Sequence, residues 1–103
     1  ILPLTDSYVI MSYNTSPTNV EGRIIDALAF SDTLPAASRP RVYGSLETHP
    51  GSGVNVSYAD TPGKQTRTIV MNDIATIQKV LDSHPSFCGM SIHDWVGWNQ
   101  LTP

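Results

Sequence analysis

The chain reads as an α/β protein: three parallel strands, two crossover helices and a small β-hairpin. Two apolar stripes at helical spacing lie between three short runs rich in β-branched and aromatic residues. Strand, helix, strand, hairpin, helix and strand then follow in that order, which is the signature of parallel strands joined through helices. The 103 residues have room for one small domain, 1–103.

Tyr8-Val9-Ile10-Met11-Ser12-Tyr13 is the first strand, an apolar run without clean alternation that suits burial on both faces. Helix-start chemistry follows in Ser16-Pro17-Thr18-Asn19-Val20-Glu21, with Pro17 in the first turn and Thr18 and Glu21 at capping-box spacing. Val20, Ile24, Ile25 and Leu28 then give one stripe, predicting a helix over 18–32 that ends near Leu34-Pro35. Arg41–Glu47 is the second strand, opening after Pro40.

Residues 48–66 carry Gly51, Gly53, Pro62 and Gly63, with Val54, Val56 and Tyr58 alternating. That pattern predicts a hairpin returning through Thr68 to Met71, and a loop of such length is often functional. Asn72 is placed to cap a second helix, with Asp73 favourable at its N-terminus. Its stripe is Ile74, Ile77, Val80 and Leu81, and His84-Pro85 closes it. The last strand runs from Ser86 to Ile92 and ends at His93-Asp94-Trp95.

Composition removes several function classes. Six Lys and Arg against nine Asp and Glu leave a net charge of -3, so no basic surface exists to neutralise a nucleic-acid backbone. No apolar run approaches the ~20 residues of a membrane helix. The one cysteine, Cys88, excludes an internal disulfide and a cysteine zinc site, and within its strand it reads as core. A single thiol fits the cytosol and a secreted chain alike. Asn14-Thr15-Ser16 and Asn55-Val56-Ser57 are glycosylation triplets that a secreted chain could use.

His49, His84 and His93 are too dispersed for a metal signature. Gly51-Ser52-Gly53 meets Val56 where a dinucleotide loop needs its third glycine, and Gly63-Lys64 lacks the leading glycine of a phosphate loop. Gly89-Met90-Ser91-Ile92-His93 lacks the second glycine of a nucleophile elbow. Neither a cofactor nor a metal is therefore expected. Ile1 begins without an initiator Met or a leader, so the chain is expected to be processed or cut from something longer. Two helices cover one sheet face, whereas parallel sheets need both covered. Ile10, Tyr43 and Met90 would face water unless another part of a larger object, or a second copy, packs there.

In parallel α/β folds function gathers at the C-terminal ends of strands. Those ends are Ser12-Tyr13-Asn14, Leu46-Glu47-Thr48 and His93-Asp94-Trp95. An acid at the tip of a buried strand is poorly placed for stability alone, so Glu47 is the candidate nucleophile, acid or base. The alternative is a Glu47 paired with Arg41 or another cation, or left in solvent. Trp95 and Trp98, with Tyr13 and Tyr43, are either stacking faces for a sugar or packing at the sheet end. His93 and Asp94 are neighbours on a strand and point to opposite faces, so they do not form a dyad with each other.

Tyr13 after Val9-Ile10-Met11, Glu47-Thr48 after Val42-Tyr43-Gly44, and Phe87-Cys88-Gly89-Met90-Ser91-Ile92-His93 before Trp95 resemble the last three βα units of a TIM barrel. The closest likeness is to glycoside-hydrolase-like (β/α)8 barrels, secreted ones among them. It implies that Glu47 is the nucleophile or general acid/base, with Tyr13, Asn14, His93, Asp94, Trp95 and Trp98 along an oligo- or polysaccharide site. It also implies a hairpin over Gly53–Met71 that covers the strand ends, and a missing barrel half as partner. A retaining glycosidase needs a second carboxylate about 5 Å away, which the family supplies from a strand this chain lacks. The rival expectation is a non-enzymatic α/β module that self-associates through its uncovered sheet face.

Overall fold

The computed structural model describes residues 7–103. In chain order these form β1 (Ser7–Val9), α1 (Pro17–Asp32), β2 (Arg41–Glu47), α2 (Arg67–Leu81), β3 (Phe87–His93) and α3 (Trp95–Gln100). Short 3-10 turns lie at Ala36–Ser38 and Tyr58–Asp60. The sheet has the order β1-β2-β3 with both pairings parallel, so the α/β architecture of three parallel strands joined through two helices is the one observed.

β2 has the predicted bounds, but β1 stops four residues short of Tyr13. Ser12 N–H donates back to Ile10 O at 2.8 Å, a tight turn that breaks the ladder. The pairing continues through a side chain instead. The buried Ser12 hydroxyl donates to Ser45 O at 2.9 Å and accepts from Ser45 N–H at 3.0 Å.

α1 begins at Pro17, with Ser16 at the cap position and without the predicted Thr18–Glu21 capping box. Asn14 Oδ1 takes the Ser16 N–H at 2.8 Å and steadies this entry. Val20, Ile24 and Leu28 are buried as the spacing predicts, whereas Ile25 is exposed beside the stripe.

The hairpin predicted over Gly53–Met71 does not form, and Asn72 is not a cap. α2 starts at Arg67, where Thr66 Oγ1 accepts the Ile69 N–H at 3.2 Å. Its apolar period runs through Val70, Ile74, Ile77 and Leu81, so Thr68–Met71 belongs to the helix and Val80 lies outside its buried face. Helical spacing carried back from Ile74 outweighs the local β-propensity of Thr68, Ile69 and Val70.

The segment before α2 is a compact loop. Gly51, Gly53 and Gly63 occupy positive φ there, and Asp60 accepts the Gly51 and Gly53 amides at 2.8–3.0 Å. Those amide bonds hold the Asp60 carboxyl below the usual range. Tyr58 enters the core from this loop and its hydroxyl donates to Asp73 at 2.9 Å. Burial, reinforced by the Asp73 charge, pushes the Tyr58 hydroxyl well above its ordinary value and keeps it a donor.

Both long helices pack on one sheet face. Val42 and Leu46 of β2 share a single apolar cluster with Val20, Ile24 and Leu28 of α1 and Val70, Ile74, Ile77 and Leu81 of α2. Gly44 lies between them, and a Cβ there would sit inside contact distance of Ile24 Cδ1 and 2.6 Å from Met90 Sδ. Ile10 and Met90 pack against this cluster, which corrects their predicted place on the water-facing side. That side carries Tyr43, Ser45 and Glu47 of β2 beside Gly89, Ser91 and His93 of β3. Cys88 is exposed rather than core. The register passes from Val42–Phe87 to Tyr43–Gly89, leaving Cys88 as the extra residue of a β-bulge with Gly89 at positive φ.

At the opposite end of the sheet, Asp32 closes the C-terminus of α1 onto the start of β3. Its carboxylate bonds His84 Nδ1 at 2.6 Å and accepts the Ser86 N–H at 3.0 Å. Partial burial raises the Asp32 pKa, but the His84 and Ser86 hydrogen bonds outweigh it and hold the group below 3.8. A depressed carboxylate contributes stability that is complete above its unfolded pKa and is lost as pH falls through its folded one. Asp32→Asn is therefore expected to flatten the acid side of the stability–pH curve, measured as urea midpoints from neutral to acid pH. Curves that stay parallel would show the clasp to be inert. Among the described residues no helix is long and apolar enough to cross a membrane.

Candidate functional site

Parallel register decides what meets at the carboxyl end of the sheet. Glu47 and His93 are direct partners across β2 and β3, so both side chains rise from the same face at the same level. Both Glu47 carboxylate oxygens lie 3.0 Å from His93 Nδ1. Glu47 Oε1 also accepts the His49 N–H at 2.9 Å. The anticipated cation partner of Glu47 is thus His93 and not Arg41. Hydrogen bonding and charge from Glu47 raise the His93 pKa above its ordinary value, and Asp94 adds to the effect.

The His93 ring is held on a second side. Tyr13, delivered by the turn after β1, stacks on it with ring centroids 5.9 Å apart and an interplanar angle of 29°. The backbone beneath is held by Thr48, whose N–H and hydroxyl both donate to His93 O. The Thr48 hydroxyl reaches Asp94 O as well, at 3.0 Å.

Asp94, one residue beyond β3, caps the N-terminus of α3. Its Oδ1 accepts the Gly97 N–H at 2.8 Å, and its Oδ2 lies 3.1 Å from His49 Nδ1. The Gly97 bond, with His49 behind it, holds the Asp94 carboxyl below the usual range. Two carboxylate–imidazole pairs, Glu47–His93 and Asp94–His49, therefore stand side by side. The sequence weighs His49 only as a metal ligand and gives it no place at the site; its position two residues beyond Glu47 on a strand-end loop is the signal that it belongs there.

α3 was also absent from the sequence expectation, since six residues are too few to show a period. It separates the two tryptophans. Trp95 is 75 % exposed at the rim of the strand ends, whereas Trp98 packs against the core beneath the Arg67 guanidinium, 5.8 Å from the ring centre. Asn14 is engaged at the start of α1, accepting from Ser16 N–H and Asn19 Nδ2. Tyr13, Glu47, His49, His93 and Asp94 are thus gathered, with Trp95 next in the chain. Asn14 and Trp98 are tied into supporting structure.

The loop expected to cover the strand ends reaches them by another route. Glu47 forms an isolated parallel bridge with Ser57, and the Ser57 hydroxyl donates to His49 O at 2.7 Å. A separate groove of about 280 Å³ is lined by Pro50, Ala59, Gln65, Gln100, Leu101 and Thr102 and holds no ionisable side chain. Among the described residues no group of three His, Cys, Asp or Glu side chains is placed to hold a metal ion. The chemistry this arrangement can supply is proton transfer by an imidazole backed by a carboxylate, beside an exposed aromatic face. Comparison of the chain with protein-family models, curated proteins and solved structures returns no match.

Proposed function

We propose that this chain is the C-terminal part of a glycoside-hydrolase-like (β/α)8 barrel that cleaves glycosidic bonds in an oligo- or polysaccharide, with Glu47 as its essential carboxylate. One observation carries the reading. Glu47 is a buried carboxylate at the carboxyl end of the central parallel strand, held by two specific donors and flanked by Tyr13 and His93. Ends of parallel strands are where such barrels place their chemistry. Three strands in sequential order, with both helices on one face, are also the repeating pattern of that architecture. Trp95 supplies the exposed apolar face on which a sugar ring stacks. The second carboxylate belongs to the barrel part outside this chain, and secretion goes with the same reading.

The experiment is hydrolysis of a panel of unactivated oligosaccharides by the intact protein and its Glu47→Gln variant, with oligosaccharide titration followed by tryptophan fluorescence. The variant is expected to lose at least about 100-fold in kcat/KM. Quenching is expected to saturate and to disappear in Trp95→Ala. Hydrolysis unchanged by Glu47→Gln would sink the assignment.

One feature favours a second reading, a self-associating module without enzymatic activity. Val9, at the end of the edge strand β1, and Met11, in the turn after it, are 54 % and 75 % exposed. A native mass at a simple multiple of the chain, together with no sugar-dependent quenching, would support it over the first.

A further inference from the structure

Glu47 and His93 are exposed in the reverse of the order expected of an attacking carboxylate. The Glu47 side chain is 7 % exposed and the His93 side chain 57 %. Both Glu47 oxygens are committed to His93 Nδ1, and one of them also to the His49 amide. A sugar arriving at the strand ends therefore meets the imidazole before it meets the carboxylate. The ring itself is fixed through Nδ1 by Glu47 and on its face by Tyr13, with the backbone held by Thr48. Nε2 takes no hydrogen-bond partner among the described residues.

Resting on the reading that this cluster cleaves glycosidic bonds, we propose that His93 is the proton-transferring catalytic residue, working at Nε2, and that Glu47 acts through it. The Glu47 carboxylate lies beneath the ring at Nδ1, selects the tautomer that carries hydrogen there, and stabilises the imidazolium. In the first half of the reaction the imidazolium Nε2–H gives its proton to the glycosidic oxygen. The bond between that oxygen and the anomeric carbon breaks, and the alcohol leaves neutral. Water then bonds to the anomeric carbon and gives a proton to the neutral Nε2, which restores the imidazolium. Overall one glycosidic bond and one water become two hydroxyl-bearing products, with no other reactant.

The titratable groups around this ring are Glu47 on β2, His49 on the loop after it, Tyr13 after β1 and Asp94 on the same segment as His93. Glu47 and Asp94 hold the proton on His93 to higher pH than an ordinary histidine would. Because the protonated form is the working acid, activity falls as pH rises through the His93 pKa. Removing the Glu47 charge moves that fall to lower pH.

The test compares the intact protein with His93→Gln and Glu47→Gln on an unactivated oligosaccharide and on 2,4-dinitrophenyl glycosides, whose leaving group needs no proton. His93→Gln is expected to lose at least about 100-fold on the oligosaccharide and to recover most activity on the dinitrophenyl substrate. Glu47→Gln is expected to lower the pH of the alkaline limb. Nitrogen NMR of the unmodified protein is expected to show neutral His93 with hydrogen on Nδ1 and a midpoint above 6.5, falling in Glu47→Gln. Oligosaccharide hydrolysis surviving in His93→Gln but lost in Glu47→Gln, or hydrogen on Nε2 in neutral His93, would overturn this role and leave the hydrolase reading standing. Hydrolysis unchanged in both variants, or absent from the unmodified protein, would remove both.

Discussion

Gly97→Ala is expected to destabilise the protein by about 1–3 kcal/mol and to loosen the strand-end site at the same time. Gly97 is buried in the middle of α3, where the helix lies directly against the chain leaving β2. A Cβ at this position would overlap Thr48 O and the Thr48 carbonyl carbon, and would sit 2.7 Å from His49 N. All three are backbone atoms, so no rotamer change can relieve the overlap. Either α3 lifts or the Thr48–His49 segment moves. The same segment supplies the His49 amide to Glu47 and the Thr48 hydroxyl to His93 O, so strain there reaches both pairs. Urea denaturation measures the loss, and amide chemical shifts of Thr48 and His49 report the displacement. Gly22→Ala is the matched control, because nothing lies within 4 Å of that Cβ. In the helix interior the control is expected to gain about 0.5–1 kcal/mol. Equal stabilities for the two variants would show that α3 does not rest on the strand end.

Leu46→Ala carries the other large effect, a loss of about 2–5 kcal/mol in urea denaturation. Leu46 is fully buried on the central strand, facing the cluster built by both long helices. Truncation removes packed apolar atoms at a point flanked by helices on one side and sheet on the other, so little can collapse into the space. Leu46 also precedes Glu47. The cavity is therefore expected to weaken the buried carboxylate's placement, seen as a fall in the His93 NMR titration midpoint toward the ordinary histidine value. A loss under about 1 kcal/mol would mean that the core refills the space and that β2 is less constrained than its burial implies.

Legibility varied along the chain for physical reasons. β2 was read to the residue, because an apolar run between Pro40 and a charged end has little competing pattern. α1 was read within one residue at its start, since Pro17 and the Val20, Ile24 and Leu28 period agree. Thr68–Met71 misled because β-branched residues open a helix whose period becomes visible only further on. Cys88 misled for a different reason: a bulge changes which way a residue faces without any change in its type.

The same division runs through the site. Strand-end chemistry pointed to Tyr13, Glu47, His93, Asp94 and Trp95 from their positions after apolar runs. The amino-acid order by itself determined the alternation of strands and helices, the buried stripes and the residues at the strand tips, because all of these depend on spacing along one chain. Only the tertiary structure decided that Glu47 takes His93 as its partner, that His49 joins Asp94, and that Trp95 and Trp98 part company across α3. Those pairings join residues 45–46 positions apart, and they depend on a parallel register set by the packing of whole helices on a sheet.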